Sequence, residues 1–240
     1  MSDNMINWEK DADGVVILTM DDPNQGANTM NELFQTSIKT TVERLEAEKD
    51  DITGVIITSA KKTFFAGGDL KDMTAEHTET KQEIAARITA TTNGMKAVLR
   101  RLENFGKPVV SAINGAALGG GLEIALHTHH RIAADVRGNQ IGLPEVTLGL
   151  LPGGGGVVRT VRMLGLQNAL MGVLLQGQQR GPVQAKEVGL IDEVVGSVEE
   201  LVPAAKAWIK ANPDSINAWL DGVTTLDGGD AKAAVQAALK

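Results

Sequence analysis

The sequence predicts an α/β protein, and three observations carry that reading. Short apolar runs of strand length recur along the chain, segments with apolar residues at helical spacing separate them, and glycine-rich turns stand at the junctions. Residues 14–20 (GVVILTM) form a buried strand, closed by the turn chemistry of DDPNQG. Met30, Leu33, Phe34, Ile38, Val42 and Leu45 repeat at helical intervals and predict a helix over 30–49. Residues 53–59 (TGVIITS) are a second strand, followed by the glycine loop FFAGGDL and a polar stretch. Ile84, Ile88, Met95, Val98, Leu99 and Leu102 mark a long amphipathic helix ending near Gly106. Pro108 stands where the strand VVSAI begins. NGAALGGGLEIAL then runs from strand through glycines into helix. Residues 131–136 and 140–143 are further short strands, and PGGGG at 152–156 is a loop before helical segments at 157–164 and 167–175. A last strand lies within 188–195 and a helix over 199–211. The alanine-rich end AKAAVQAALK reads as helical.

Composition narrows the chemistry. The 240 residues include 27 glycines but no cysteine and no tyrosine. Thiolate nucleophiles, disulfides, CxxC redox pairs and cysteine-type zinc sites are therefore excluded, as are phenolic acids. Any catalysis must come from carboxylates, imidazoles, hydroxyls, lysines or backbone amides. A net charge of −7 and 3% aromatic residues argue against a nucleic-acid surface or a base-stacking platform. No apolar run is long enough to span a membrane, and the start, MSDNMINWEKD, does not read as a signal peptide, so a cytoplasmic protein is expected.

The glycines fall in three clusters: Gly67-Gly68, residues 119–121 and residues 153–156. Turn-making explains a glycine pair by itself. The spacing of GAALGGG fits no dinucleotide fingerprint, and no glycine leads a Lys-Ser/Thr pair. The residues after the glycines support a different reading. Gly120 opens an apolar helix, where free N–H groups favour negative charge, and Gly68 supplies a second amide in a strand-to-loop turn. Two such amides converging on one carbonyl oxygen would make an oxyanion hole. Glu123 lies in the first turn of that helix, where a carboxylate also serves simply as a favourable charge. Glu145 sits in the apolar stretch QIGLPEVTLGLLPG; it is either a solvated loop residue or a partly buried carboxyl with a raised pKa. His127, His129 and His130 lack the HExxH spacing of a metal site, and their place near a helix end suits imidazolium against the dipole. Met20, Met30, Met95, Met163 and Met171 read as core filler. Lys61-Lys62 is either a solvated pair or a phosphate contact beside the first glycine loop.

At these residues the sequence resembles the crotonase, or enoyl-CoA hydratase/isomerase, superfamily. The matching stretches are FFAGGDL at 64–70, KPVVSAINGAALGGGLEIAL at 107–126, GLPEVTLGLLPGGGG at 142–156 and PVQAKEVGLIDEVV at 182–195; DDPNQGANTMN at 21–31 is similar to the family's first CoA-side loop. The resemblance covers roughly residues 5–210 and is nearest to the hydratase part of multifunctional fatty-acid β-oxidation proteins. Those continue into a 3-hydroxyacyl-CoA dehydrogenase segment, which is absent here, so a single-function relative or a fragment is expected. The resemblance implies a spiral of ββα units over 1–195 with a C-terminal helical segment over 196–240. It implies hydration of trans-2-enoyl-CoA, with Gly68 and Gly120 as oxyanion amides and Glu123 and Glu145 as the carboxyl pair. Δ3-Δ2 isomerisation or non-catalytic acyl-CoA binding are the alternatives. Ala66, Asp69 and Leu70 would border the CoA pantetheine, and Ala27 and Lys71 would lie near its adenine. No metal or cofactor beyond the CoA thioester is implied. A homotrimer or dimer of trimers is expected, with other β-oxidation enzymes as partners. Val157-Val158-Arg159 departs from the family's frequent Thr-Gln-Arg.

Overall fold

The computed structural model describes residues 4–68 and 79–215. The predicted alternation is present. β1 (Ile6–Lys10), β2 (Val15–Met20), α1 (Glu32–Ala47) and β3 (Gly54–Ser59) come first, followed by α2 (Lys81–Glu103) and β4 (Val109–Ile113). Next are β5 (Ala117–Leu118), α3 (Gly120–Leu126), β6 (His130–Ala134) and β7 (Ile141–Gly142). α4 (Gly156–Leu164), α5 (Leu166–Ala169), α6 (Pro182–Glu187), β8 (Glu193–Val195) and α7 (Leu201–Ala211) complete the described chain. The segment predicted as one helix over 167–175 is instead α5 running into a π-helical turn, Leu170–Leu174. The alanine-rich end and the loop residues Asp69, Leu70 and Lys71 lie outside the described residues.

Six strands form one sheet in the order β1-β2-β3-β4-β6-β8; β1 is antiparallel to β2 and the other pairs are parallel. Parallel strands are covered on both faces, and β3 and β4 accordingly read as unbroken apolar runs. Alternate side chains face opposite ways. Val55, Ile57 and Val109 join the larger core with Phe34, Ile38, Val42 and Leu45 of α1 and with Leu99 and Leu102 of α2. Ile56, Val110, Ala112 and Ile132 face Leu201, Ala205 and Ile209 of α7. Gly54 lets α7 come this close, since a β-carbon there would lie 2.5 Å from Ile209 Cγ2. Both long helices start on side-chain caps. Asn31 Oδ1 accepts from Phe34 N (2.8 Å), and Thr80 with Glu83 forms a capping box. None of the helices among the described residues is long and apolar enough to cross a membrane.

β5 and β7 make a separate two-stranded parallel sheet. It is extended by a bridge from Phe65 to Ala117 and another from Ile141 to Arg180. This small sheet gathers the glycine turns.

Candidate active site

The turn after β5 is set by Gly119, whose φ of 52° with ψ of −120° is open to glycine and strained for other residues. Its N–H donates to Gly142 O (2.9 Å), tying the turn to β7. α3 begins at the next residue and is buried along its whole length. The earlier turn, at 66–68, is carried to the same place by Phe65. The Phe65 N–H donates to Ala116 O (3.1 Å), and its carbonyl accepts from Leu118 N (3.2 Å). Gly67 has φ +95°, and a β-carbon there would stand 3.1 Å from Leu118 O and 3.9 Å from Gly120 N. The two turns are thus in contact. Among the described residues, neither Gly68 N–H nor Gly120 N–H has a hydrogen-bond partner.

Glu123 lies one turn into α3 and is 3% exposed. Gly156 N–H donates to its Oε1 (2.8 Å), and the neighbouring backbone amides of Gly154 and Gly155 also act to lower its pKa. A β-carbon on Gly154 would come within 2.7 Å of Oε2, so only glycine leaves room for this amide cradle. Burial holds the Glu123 pKa above the usual carboxylate range, against the opposing pull of the three amides and of Arg159.

Glu145 is half-buried on a 3₁₀ turn, Pro144–Leu148. Its Oε1 rests over Gly119, 2.8 Å from where a β-carbon would be, and its buried Oε2 has no hydrogen-bond partner among the described residues. Burial raises its pKa to about 7; its own backbone N–H opposes the rise, and the charge of Glu123 adds to it. The two carboxyls therefore share one field, and the expectation of a partly buried Glu145 holds.

A folded-state pKa of about 7 against an ordinary value of 4.5 means that the folded chain binds this proton more tightly than the unfolded chain. The associated stability is complete below pH 4.5 and is lost as pH rises through 7. Glu145→Gln, which stays neutral, is thus expected to be more stable than the parent at about pH 8. One pH unit of displacement corresponds to about 1.4 kcal/mol, reduced by solvent screening of a part-exposed group, so the gain is about 1–2 kcal/mol. Urea denaturation at about pH 8 and again at pH 4.5 checks this: the gain should vanish at the lower pH.

Two other predicted residues come together. Ala66 N–H donates to Asn28 O (2.8 Å), so Ala66 and the loop carrying Ala27 are neighbours. Asn28, which was not among the predicted site residues, ties that loop down. It is fully buried; its Nδ2 reaches Met20 O, Ser59 Oγ and Phe64 O, and its Oδ1 accepts from Asp22 N. The repeated Asn in DDPNQGANTMN was the available signal. Met30, expected to be core filler, also edges the site. Its N–H donates to Gly67 O (2.8 Å), and its Cε lies 3.1 Å from a β-carbon built on Gly120.

Two expectations need correcting. The histidines are not imidazolium at a helix end. Burial pushes His127 down to about 3, with Arg159 adding to it, and burial also lowers His129 and His130. Met171 is 42% exposed rather than packed in the core. Of the lysine pair, Lys62 is exposed, as expected of a solvated face, and Lys61 is part-exposed with its Nζ paired to Asp21 at 2.7 Å.

Known proteins are similar to this chain in sequence and fold. The family model for enoyl-CoA hydratase/isomerase matches residues 10–226. The fatty acid oxidation complex subunit alpha of Shewanella frigidimarina is 42% identical over 190 residues, covering 79% of this chain and 26% of that protein. The corresponding subunit of Idiomarina loihiensis is 36% identical over 223 residues, covering 92% of this chain and 30% of that protein. The chain thus spans less than a third of the length of these curated relatives. Among solved structures, an enoyl-CoA hydratase from Bacillus anthracis superposes with a TM-score of 0.75 at 28% identity, covering 87% of this chain and 76% of that one. Pseudomonas aeruginosa DspI does so with a TM-score of 0.72 at 30% identity, covering 86% and 74%. The fold is that of the crotonase-type hydratases.

Proposed function

This chain belongs to the enoyl-CoA hydratase/isomerase family, and from that premise we propose that it adds water across the double bond of a trans-2-enoyl-CoA to give a 3-hydroxyacyl-CoA. The observation that carries this reading is a pair of buried or half-buried glutamates, each with its pKa raised by burial and Glu145 also feeling the charge of Glu123, beside two amides without partners among the described residues.

In an enoyl thioester the carbonyl draws electrons from the alkene, so Cβ accepts a nucleophile and the carbonyl oxygen gains charge. The N–H groups of Gly68 and Gly120 would hold that oxygen; one such donor is worth about 10²–10³ in rate. The three amides around Glu123 favour its anion, so it serves as the base that takes a proton from water as the oxygen bonds to Cβ. Glu145, neutral below about 7, gives its proton to Cα. Water is thereby added across the bond, and proton transfer from Glu123 back to Glu145 resets the pair. Glu123 would have no evident task in moving a double bond by a single-base route, which favours hydration over Δ3-Δ2 isomerisation. Ala66 and Ala27, on their joined loops, would border the CoA, and Asp69, Leu70 and Lys71 are proposed as further CoA-binding residues. A role in fatty-acid β-oxidation beside other enzymes of that process, and assembly as a trimer or dimer of trimers, belong to the same reading.

The test is loss of the enoyl-thioester absorbance on substrates from four to sixteen carbons, with 3-hexenoyl-CoA run in parallel. Crotonyl-CoA should be hydrated faster than 3-hexenoyl-CoA is isomerised. The reverse order would make the chain an isomerase, and calorimetric binding of acyl-CoA without turnover would make it a binding subunit.

A further inference from the structure

Behind the amide cradle lies a buried charge cluster that the proposed reaction does not itself use. Arg159, in the first turn of α4, is 6% exposed, and Glu103, at the end of α2, is 1% exposed. They are joined by two hydrogen bonds, Nη2 to Oε2 at 2.6 Å and Nε to Oε1 at 3.3 Å. Arg100 Nη1 reaches the same Oε2 at 2.6 Å from the surface side, and the Glu103 carbonyl contacts His129 Nε2 at 3.0 Å. The Arg159 guanidinium lies against the cradle: a β-carbon on Gly155 would overlap its Nη1, and Gly155 has φ +116°. The Arg159 N–H also donates to Gly155 O (3.1 Å).

We propose that Arg159, gripped by Glu103, is a positioning residue for Glu123, fixing the 154–156 amide cradle and holding a positive charge behind the carboxyl it encloses. A buried ion pair is weak evidence of stability, because apolar replacements of similar size are often neutral or better. Its placement here is what matters. The pair anchors the start of α4 to the end of α2, and the cradle leads directly into α4. The charged and titratable groups facing Glu123 are Arg159 from α4, Glu145 from the 3₁₀ turn and His127 from its own helix, with Glu103 and Arg100 of α2 behind Arg159. His127 is neutral, with its Nδ1 on Glu123 O at 2.7 Å, and Arg159 is the cation whose charge favours the Glu123 anion.

The role in catalysis rests on the hydratase reading, but the electrostatic claim does not, so the primary readout is the Glu123 carboxyl itself. Its titration is followed by carbon NMR of glutamate-labelled protein, assigned with Glu123→Gln. The double variant Arg159→Gln/Glu103→Gln leaves the net charge unchanged and keeps hydrogen-bonding groups. The Glu123 midpoint is expected to rise by about one pH unit, since a nearby opposite charge lowers a carboxyl by roughly 1–3. On crotonyl-CoA, the acid limb of kcat/KM should move up with it, lowering activity about tenfold on that limb. An unchanged Glu123 midpoint in the folded double variant would overturn the proposal. Absence of crotonyl-CoA turnover in the parent protein would instead overturn the hydratase reading, leaving the NMR result to stand. Arg159→Lys keeps the charge but loses the two-pronged grip. It should hold the midpoint near its parent value while kcat falls severalfold; parental kcat in this variant would refute the positioning claim even if the double variant fails to fold.

Discussion

Glu145→Gln is expected to cut crotonyl-CoA hydration by about 10²–10⁴ while leaving the fold intact, because the amide keeps the shape of the carboxyl but carries no transferable proton. Its Oε2 has no hydrogen-bond partner to lose among the described residues, and its half-buried place accepts a neutral group readily. The parent protein should also lose kcat/KM as pH rises through about 7, because the proposed proton donor is then ionised. Glu123→Gln should be as slow for the complementary reason: it cannot take the proton from water. Its circular dichroism should match the parent, although one cradle amide then faces an NH₂ or an oxygen according to the side-chain flip. Hydration by both purified variants at parental rates would sink the two-glutamate mechanism.

Gly119→Ala is expected to be nearly as damaging, by geometry rather than by proton chemistry. Two penalties coincide. The backbone at φ 52°, ψ −120° strains any residue with a β-carbon, at a cost of about 1–3 kcal/mol. That carbon would also sit 2.8 Å from Glu145 Oε1, so the carboxyl must move. Displacing a reacting group by about 1 Å costs about 10²-fold in rate. The turn also sets the direction of Gly120 N–H, so carbonyl binding should weaken along with proton transfer. The expected result is a folded protein of reduced Tm with kcat/KM lower by about 10² or more. Parental kcat/KM would show that Glu145 does not work from its place over Gly119.

Much of this architecture is legible in the sequence, for identifiable reasons. β2, β3 and β4 are apolar runs because parallel strands are covered on both faces, and they stand out without partners being known. β1 (INWEK) escapes notice because it is an edge strand in which Asn7, Glu9 and Lys10 are not buried, so no apolar run marks it. The glycine turns carrying Gly68 and Gly120 announce themselves by composition and by the helix after the second of them. The cradle at 154–156 does not, since four glycines in a row read as a loop until the carboxyl they enclose is in place. Arg159 and Glu103 are 56 residues apart in sequence, and nothing local in either residue marks the partnership. The histidine cluster misleads because dipole reasoning applies at solvated helix ends, whereas the end of α3 is buried and desolvation dominates there.

The order of the six-stranded sheet has a consequence for how the chain can assemble. Along that sheet each strand pairs with the member that precedes it in the chain, β1 to β2 and onward to β8. Every arriving strand meets an edge already made, and no strand has to be threaded between two others. The sheet can therefore grow from one side during synthesis, with modest loop-closure cost at each addition. The exception is the face formed by Ile56, Val110 and Ile132. Its cover, α7, comes after all six strands in the chain, so this apolar surface remains open until the last described helix docks. The late arrival of a single helix thus decides when the nascent sheet stops being adhesive.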